Sequence, residues 1–317
     1  MANFFLQLPA NKAKFPISYS SKIFLMGSCF VENIGQKLQY HKLQTRTNPF
    51  GIIFHPLAII RLLERCVEKR FFNEEDLFFA NERWQSFEVH SKYSHTNKKE
   101  LLQILNKKIE DGYQFLKETT HFVCTLGTAW GYQEREMGII VANCHKIPQS
   151  NFNKVVTPVD KIKERILDVL KKLLVLNPSI HLITTVSPVR HIKDGIVENN
   201  RSKALLLQAV SELAEQHRSI SYYPAYELVI DCLRDYRFYK SDLVHPNAQA
   251  IQYIWEHFVA TYIFENKTAQ TLNAIAEIQR GISHKPFNSK SEAHQKFVTS
   301  LQEKIKSIIT EFPFMHF

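Results

Sequence analysis

Ile23-Phe24-Leu25-Met26-Gly27-Ser28-Cys29-Phe30 decides how this chain is read. Four apolar residues run into a glycine, two small nucleophile-type residues follow, and a helical pattern starts at once. A buried strand delivering a reactive side chain to a helix start has this layout. In an open α/β sheet, ligands gather at the carboxyl ends of the strands. The same stretch also reads as a plain tight turn with Ser28 as helix N-cap, so chemistry here needs support from elsewhere in the chain.

Working outward, residues 31–38 carry Val31, Ile34 and Leu38 at helical spacing. Residues 45–51 read as a turn-rich loop punctuated by Pro49 and Gly51. A second amphipathic helix spans 57–67, and a third spans 100–117. Between them, 71–97 is rich in aromatics and histidine without a clean period, and reads as loops and short strands over the sheet. Residues 121–127 form another apolar run ending at a glycine. Segments 132–135 and 139–142 read as a hairpin about Met137-Gly138.

Thr157-Pro158-Val159-Asp160 is a helix start, with threonine expected at the N-cap and proline at N1. That helix ends at Asn177-Pro178. A strand at 180–186, a helix at 200–217 (Asn200 as its candidate cap), a strand at 220–223 and a helix at 249–265 complete the alternation. Strands alternating with long helices predict an α/β protein: a central parallel sheet between two helical layers. The expected division is 1–265 for this domain, with 71–97 and 130–156 as loop-rich insertions. Residues 266–317 form a helical extension with one terminal helix, and a homodimer contact through it is the partner expectation.

Composition narrows the function. At 317 residues the chain holds one large core or a core plus an appendage. It is 44% hydrophobic and 22% charged, ordinary for a globular protein. No apolar run approaches the roughly 20 residues of a membrane span. The net charge is +9, but its lysines and arginines are interspersed with acids and form no basic stripe with aromatics. Nucleic acid and membrane are therefore not the expected partners. The five cysteines (29, 66, 124, 144 and 232) are odd in number and lack a CxxC pair. That pattern, with a poor signal peptide at the N-terminus, points to a reducing cytoplasm. The histidines show no HxH or HxxxH spacing, so no metal is expected.

Five places carry candidate chemistry. With Ser28 as N-cap, Cys29 sits at N1 among unpaired amides, where the helix dipole favours a thiolate. Glu32, one turn on, opposes that. Asp242-Leu243-Val244-His245-Pro246 places an aspartate three residues before a histidine, able to hold its ring and leave one nitrogen as general base. Asn48-Pro49-Phe50-Gly51 and Thr125-Leu126-Gly127-Thr128 are turns where backbone amides approach a ligand, or turns only. Arg190 and His191, just past a strand, suit an anionic group. Outside these five, Asn143-Cys144-His145 with His90, His95 and His191 suggests a metal reading that the spacing does not support.

Together these residues resemble the GSCFA family, named for the motif that Gly27-Ser28-Cys29-Phe30 begins; Val31 stands where the name has alanine. The likeness runs over about residues 20–265 through Asn48-Pro49-Phe50-Gly51, Leu126-Gly127-Thr128, Asn143-Cys144-His145, Ser187-Pro188-Val189-Arg190-His191, 233–239 and Asp242–Pro246. That family resembles the SGNH/GDSL hydrolases, a flavodoxin-like α/β/α fold. The resemblance implies Cys29 as nucleophile with Ser28 its rival, Asp242 and His245 as its partners, and Gly51 in the glycine block. It departs at Gly127-Thr128-Ala129, where the superfamily has Gly-x-Asn; Asn48 or Asn143 are the substitutes on offer. The implied activity is hydrolysis of an ester or acyl group on a polar, saccharide-type small molecule. No cofactor is implied for hydrolysis; an acyl-CoA donor enters if the reaction is acyl transfer. The contrasting expectation is a non-catalytic glycan- or partner-binding module on the same scaffold.

Overall fold

The computed structural model describes residues 6–317. In chain order its elements are β1 (Lys22–Gly27), α1 (Cys29–Tyr40), β2 (Gln44–Thr47), α2 (Pro56–Glu68), β3 (Phe78–Ala80), β4 (Arg83–Gln85), α3 (Lys98–Leu116), β5 (His121–Leu126) and β6 (Trp130–Glu134). There follow β7 (Phe152–Val156), α4 (Val159–Leu176), β8 (His181–Val186), α5 (Ile196–Gln216), β9 (Ile220–Tyr222), the single turn α6 (Ala225–Glu227), α7 (Ala248–Tyr262), α8 (Asn266–Ser283) and α9 (Glu292–Glu311).

Five strands form one sheet in the order β2-β1-β5-β8-β9, and every neighbouring pair is parallel. The chain starts at β1, steps out to the edge at β2, then crosses back to β5. That reversal puts the topological switch point between β1 and β5, and a ligand crevice opens outside their carboxyl ends.

The three central strands are apolar on both faces, as a doubly covered parallel sheet requires. Phe24, Met26, Phe122, Cys124, Leu182 and Val186 face one core, closed by α2, α3, α4 and α5. Ile23, Leu25, Val123 and Ile183 face the other, closed by α1, α7 and α8. The fold is the expected three-layer α/β/α sandwich.

Several local expectations are corrected. Residues 44–47 are an edge strand, not loop; Gln-Thr-Arg-Thr is half-buried and held by β1 alone, so no apolar alternation marks it. Thr157 does not cap α4: Pro158 is the N-cap, and the Thr157 hydroxyl lies 3.2 Å from His55 Nε2. β6 takes β7 as its ladder partner, and 139–141 adds only a short run, with Val141 N donating to Tyr132 O. α5 starts a turn before Asn200, because the exposed Ile196 and Val197 belong to its first turn. The C-terminal extension holds two helices rather than one.

The aromatic segment 71–97 is stitched to α2 through Arg65, whose guanidinium donates to both oxygens of Glu88 (2.7 and 2.8 Å) and to Asp76 (2.6 Å). His90 N donates to Phe50 O, which ties the same segment to the loop after β2.

Candidate active site

Gly27 ends β1 with φ +144°, and a Cβ there would sit 2.3 Å from the Thr125 carbonyl oxygen. Only glycine lets the backbones of β1 and β5 meet this closely. The next amide, Ser28 N, donates to that same oxygen. Ser28 Oγ accepts from Phe30 N at 3.3 Å, so its hydroxyl serves as the cap of α1. Cys29 follows as the first helical residue.

The Cys29 thiol is pushed up from its ordinary value, chiefly by burial. The amides of Cys29 and Phe30 and the charges of Lys203 and Lys240 pull the other way without prevailing. The helix start thus favours the thiolate as expected, but desolvation outweighs it. The Glu32 carboxylate is taken by Asn48 Nδ2 at 3.0 Å.

At the far end of the domain, Asp242 Oδ1 accepts from Val244 N (3.0 Å) and His245 N (2.9 Å), and Oδ2 lies 2.7 Å from His245 Nδ1. These bonds hold the Asp242 carboxyl down at about 2, led by the His245 amide. An ionised partner on Nδ1 keeps the proton there and leaves Nε2 as the basic nitrogen.

Cys29 and His245 line two adjoining hollows. One is a cleft of about 560 Å³ shared with Ser28, Ile52, Trp130, Tyr132 and Asn143. The other is a pocket of about 110 Å³ floored by Ile34, Ile251 and Ile254. Ser28 reaches only the larger one. Among the described residues His245 makes no hydrogen bond to either Ser28 or Cys29; the ring faces the hollows with Nε2 unengaged.

The other expected residues divide. Arg190, His191 and Asn143 line the cleft. His191 packs its ring on Phe54 and is driven down to about 4 by burial and by Lys203, so it is neutral near pH 7. Asn143 Oδ1 accepts from His145 N, leaving its amide nitrogen for the cleft. Asn48, Gly51, Gly127 and His145 do not line it. Asn48 Oδ1 accepts from Gly27 N, the Gly51 amide donates to Asn48 O, and the Gly127 amide donates to Phe54 O. His145 is buried with its nitrogens on Gln85 Oε1 and Ser86 O. These four brace the walls, because their polar groups are consumed within the scaffold.

Ala129, at the position of the superfamily asparagine, is buried and has no side-chain donor; its amide donates to Ser202 Oγ. The Ile52 amide donates to no protein acceptor among the described residues, and Ile52 lines the cleft with Cys29, whose own amide meets its thiol.

Lys203 has no role assigned to it from sequence. It is 1% exposed, and its ammonium donates to Gly127 O and to the carbonyl of Ser187, a residue of the cleft wall, at 2.6 Å each. The signal was present: Asn199, Ser202, Lys203 and Leu206 share the buried face of α5, so the helical period assigns this lysine to the core.

All five cysteines are free. Among the described residues no three His, Cys, Asp or Glu side chains are grouped to hold a metal ion, and no helix is long and apolar enough to cross a membrane.

The GSCFA family model matches residues 22–258, and that of the GSCFA domain protein, C-terminal domain, matches 275–317. No curated protein matches the chain. Among solved structures, the chain is similar to an acylhydrolase candidate from Bacteroides fragilis (11% identity, 84% of this chain and 91% of that one, TM-score 0.40). It is also similar to a carbohydrate esterase family 3 protein from Talaromyces cellulolyticus (8% identity, 81% and 99%, TM-score 0.36).

Proposed function

The chain belongs to the GSCFA family, and from that premise and the geometry of the cleft we propose that it is an acyl hydrolase that works through Cys29, His245 and Asp242. The observation that carries this reading is the placement of Cys29 and an aspartate-held His245 on the walls of the same two hollows.

Cys29 Sγ attacks the ester carbonyl carbon as its proton passes to His245 Nε2. The carbonyl π pair moves to oxygen, where the Ile52 amide and the Asn143 side chain are the donors at hand. Collapse expels the alcohol, which takes the proton from His245. Water, deprotonated by the same nitrogen, then cleaves the thioester and restores the thiol. Asp242 stays ionised and orients the ring.

The 110 Å³ pocket suits an acyl group of a few carbons. The larger cleft suits the alcohol portion, a saccharide-type ring facing Trp130 and Tyr132. Transfer of the acyl group to an acceptor other than water is the second reading. It draws on the size of that cleft and on Arg190 and Lys193 along it, which fit an anionic donor such as an acyl-CoA.

A panel of short-chain acyl esters, sugar acetates and acetyl-CoA tests these readings. Turnover that Cys29→Ala abolishes and Ser28→Ala retains supports the assignment, with Ser28→Ala costing about 1 kcal/mol of stability as a lost helix cap. His245→Ala should lower the rate by roughly a hundred- to ten-thousand-fold. Full turnover in Cys29→Ala with a dead Ser28→Ala reverses the nucleophile. No turnover of the panel by the intact protein, with saccharide binding that survives His245→Ala, makes the cleft a recognition site instead.

A further inference from the structure

Among the described residues, the partly or fully buried arginines have an acceptor or a carboxylate partner, with one exception. Arg65 forks onto Glu88 and Asp76, Arg165 donates to Glu64, Arg61 donates to Ile140 O, and Arg46 faces Asp111 at 3.6 Å. The exception is Arg190. It is partly buried in the wall of the cleft that holds Cys29 and His245, and none of its five N–H groups meets a protein acceptor among the described residues. Its place is fixed all the same: on either side of it, Val189 N donates to Ser187 Oγ at 3.3 Å and His191 N donates to Asn199 Oδ1 at 2.9 Å. Asp194, the one carboxylate lining the cleft among the described residues, is taken by Lys154 at 2.6 Å. Lys193, exposed on the same loop, adds a second positive charge without a carboxylate partner among the described residues.

We propose that Arg190 sets the substrate class: the alcohol portion of the ester carries a carboxylate or phosphate group, which the guanidinium receives in the cleft while the acyl group lies at Cys29. A guanidinium offers two parallel N–H groups to either anion in one plane, a match that a neutral hydroxyl lacks. When a ligand displaces water from the cleft, a neutral saccharide leaves that fork without a partner, which is unfavourable, and an anionic one pairs it. The charge of Asp194 does not oppose such a ligand, being offset by Lys154, and Lys193 draws an anion toward the same loop. Arg190 forms and breaks no bond in the reaction; its effect is on which ester is held. The inference rests on the acyl hydrolase reading for the identity of the bound ester, and adds to it the charge of the portion that leaves.

The probes are mono-acetylated glucose, glucuronate and glucose 6-phosphate, offered to the intact protein, to Arg190→Gln and to Arg190→Lys. The expected result is a kcat/KM roughly tenfold or more higher for one of the anionic esters than for the neutral one, carried by KM. In Arg190→Gln that ratio should fall to near one, and Arg190→Lys, which keeps the charge and loses the fork, should lie between. Whichever anionic ester is preferred names the group as phosphate or carboxylate. Turnover of the neutral ester with no preference for either anionic one, or a preference that persists in Arg190→Gln, overturns the inference and leaves the hydrolase standing. Should Arg190→Gln fail to fold, the fall in Arg190→Lys decides, and an unchanged ratio there overturns the inference. If no ester is turned over, calorimetric titration with glucose, glucuronate and glucose 6-phosphate reads the subsite directly. Tighter binding of an anionic sugar that Arg190→Gln removes supports the subsite and counts against the reaction; equal or absent binding of all three overturns the inference too.

Discussion

Asp242 holds His245 through two contacts and the Val244 amide through a third, and its side chain is nearly half solvent-exposed, so its effect is on orientation more than on stability. The sign of its pH dependence follows from its displacement from 3.8 to about 2. Folded protein binds fewer protons than unfolded protein between those values. The contribution is therefore complete above pH 3.8 and lost as pH falls through 2. Asp242→Asn should lower the acyl turnover rate at every pH from 5 to 8, because the ring of His245 loses the partner that orients it; turnover equal to that of the intact protein across this range would count against the role. Cys29, Asp242 and His245 were singled out in sequence only when the motifs were read together, since a capped turn or a DxxH by itself has a plainer structural reading. The burial of Lys203 was legible in the helical period of α5, but the carbonyls that hold it were not, since they come from residues 76 and 16 positions away.

The junction of β1 with α1 depends on one backbone contact. Gly27→Ala would set a Cβ against the Thr125 carbonyl at 2.3 Å, at a φ that disfavours any other residue. The expected cost is at least about 1–3 kcal/mol from backbone strain alone, plus the displacement of β1 from β5. Chemical denaturation of the variant measures it, and near-unchanged stability would mean that the strand ends shift apart freely. Long helices and the three central strands were readable from their apolar periods. Edge strand β2 and the β6–β7 pairing were not. Polar half-buried strands carry no period of their own, and a partner 20 residues downstream competes with the adjacent turn.

Across the molecule, α8 and the residues after α9 complete the second core rather than hang from it. Leu272, Ile275 and Ile278 of α8 are buried, Met315 is 2% exposed, and Gln279 Nε2 donates to Tyr40 O at the end of α1. Ending the chain after Glu265 exposes the face these residues cover, at about 1.5–3 kcal/mol per large buried side chain. The truncated protein should melt well below the intact one or aggregate; equal melting temperatures would show that the extension contributes nothing to the core. The alternation of apolar strands with amphipathic helices was enough to specify a parallel three-layer α/β/α sandwich, because each period dictates which face must be covered. Chain order likewise placed Cys29 and the Asp242–His245 pair at the ends of their elements. Tertiary structure alone decided which candidates share a cleft, which polar groups of Asn48, Gly51, Gly127 and His145 are consumed in bracing it, and that the Lys203 ammonium is held between two strand-end carbonyls. Those outcomes depend on hydrogen-bond partners distant in sequence, and no local pattern records where a distant carbonyl will be.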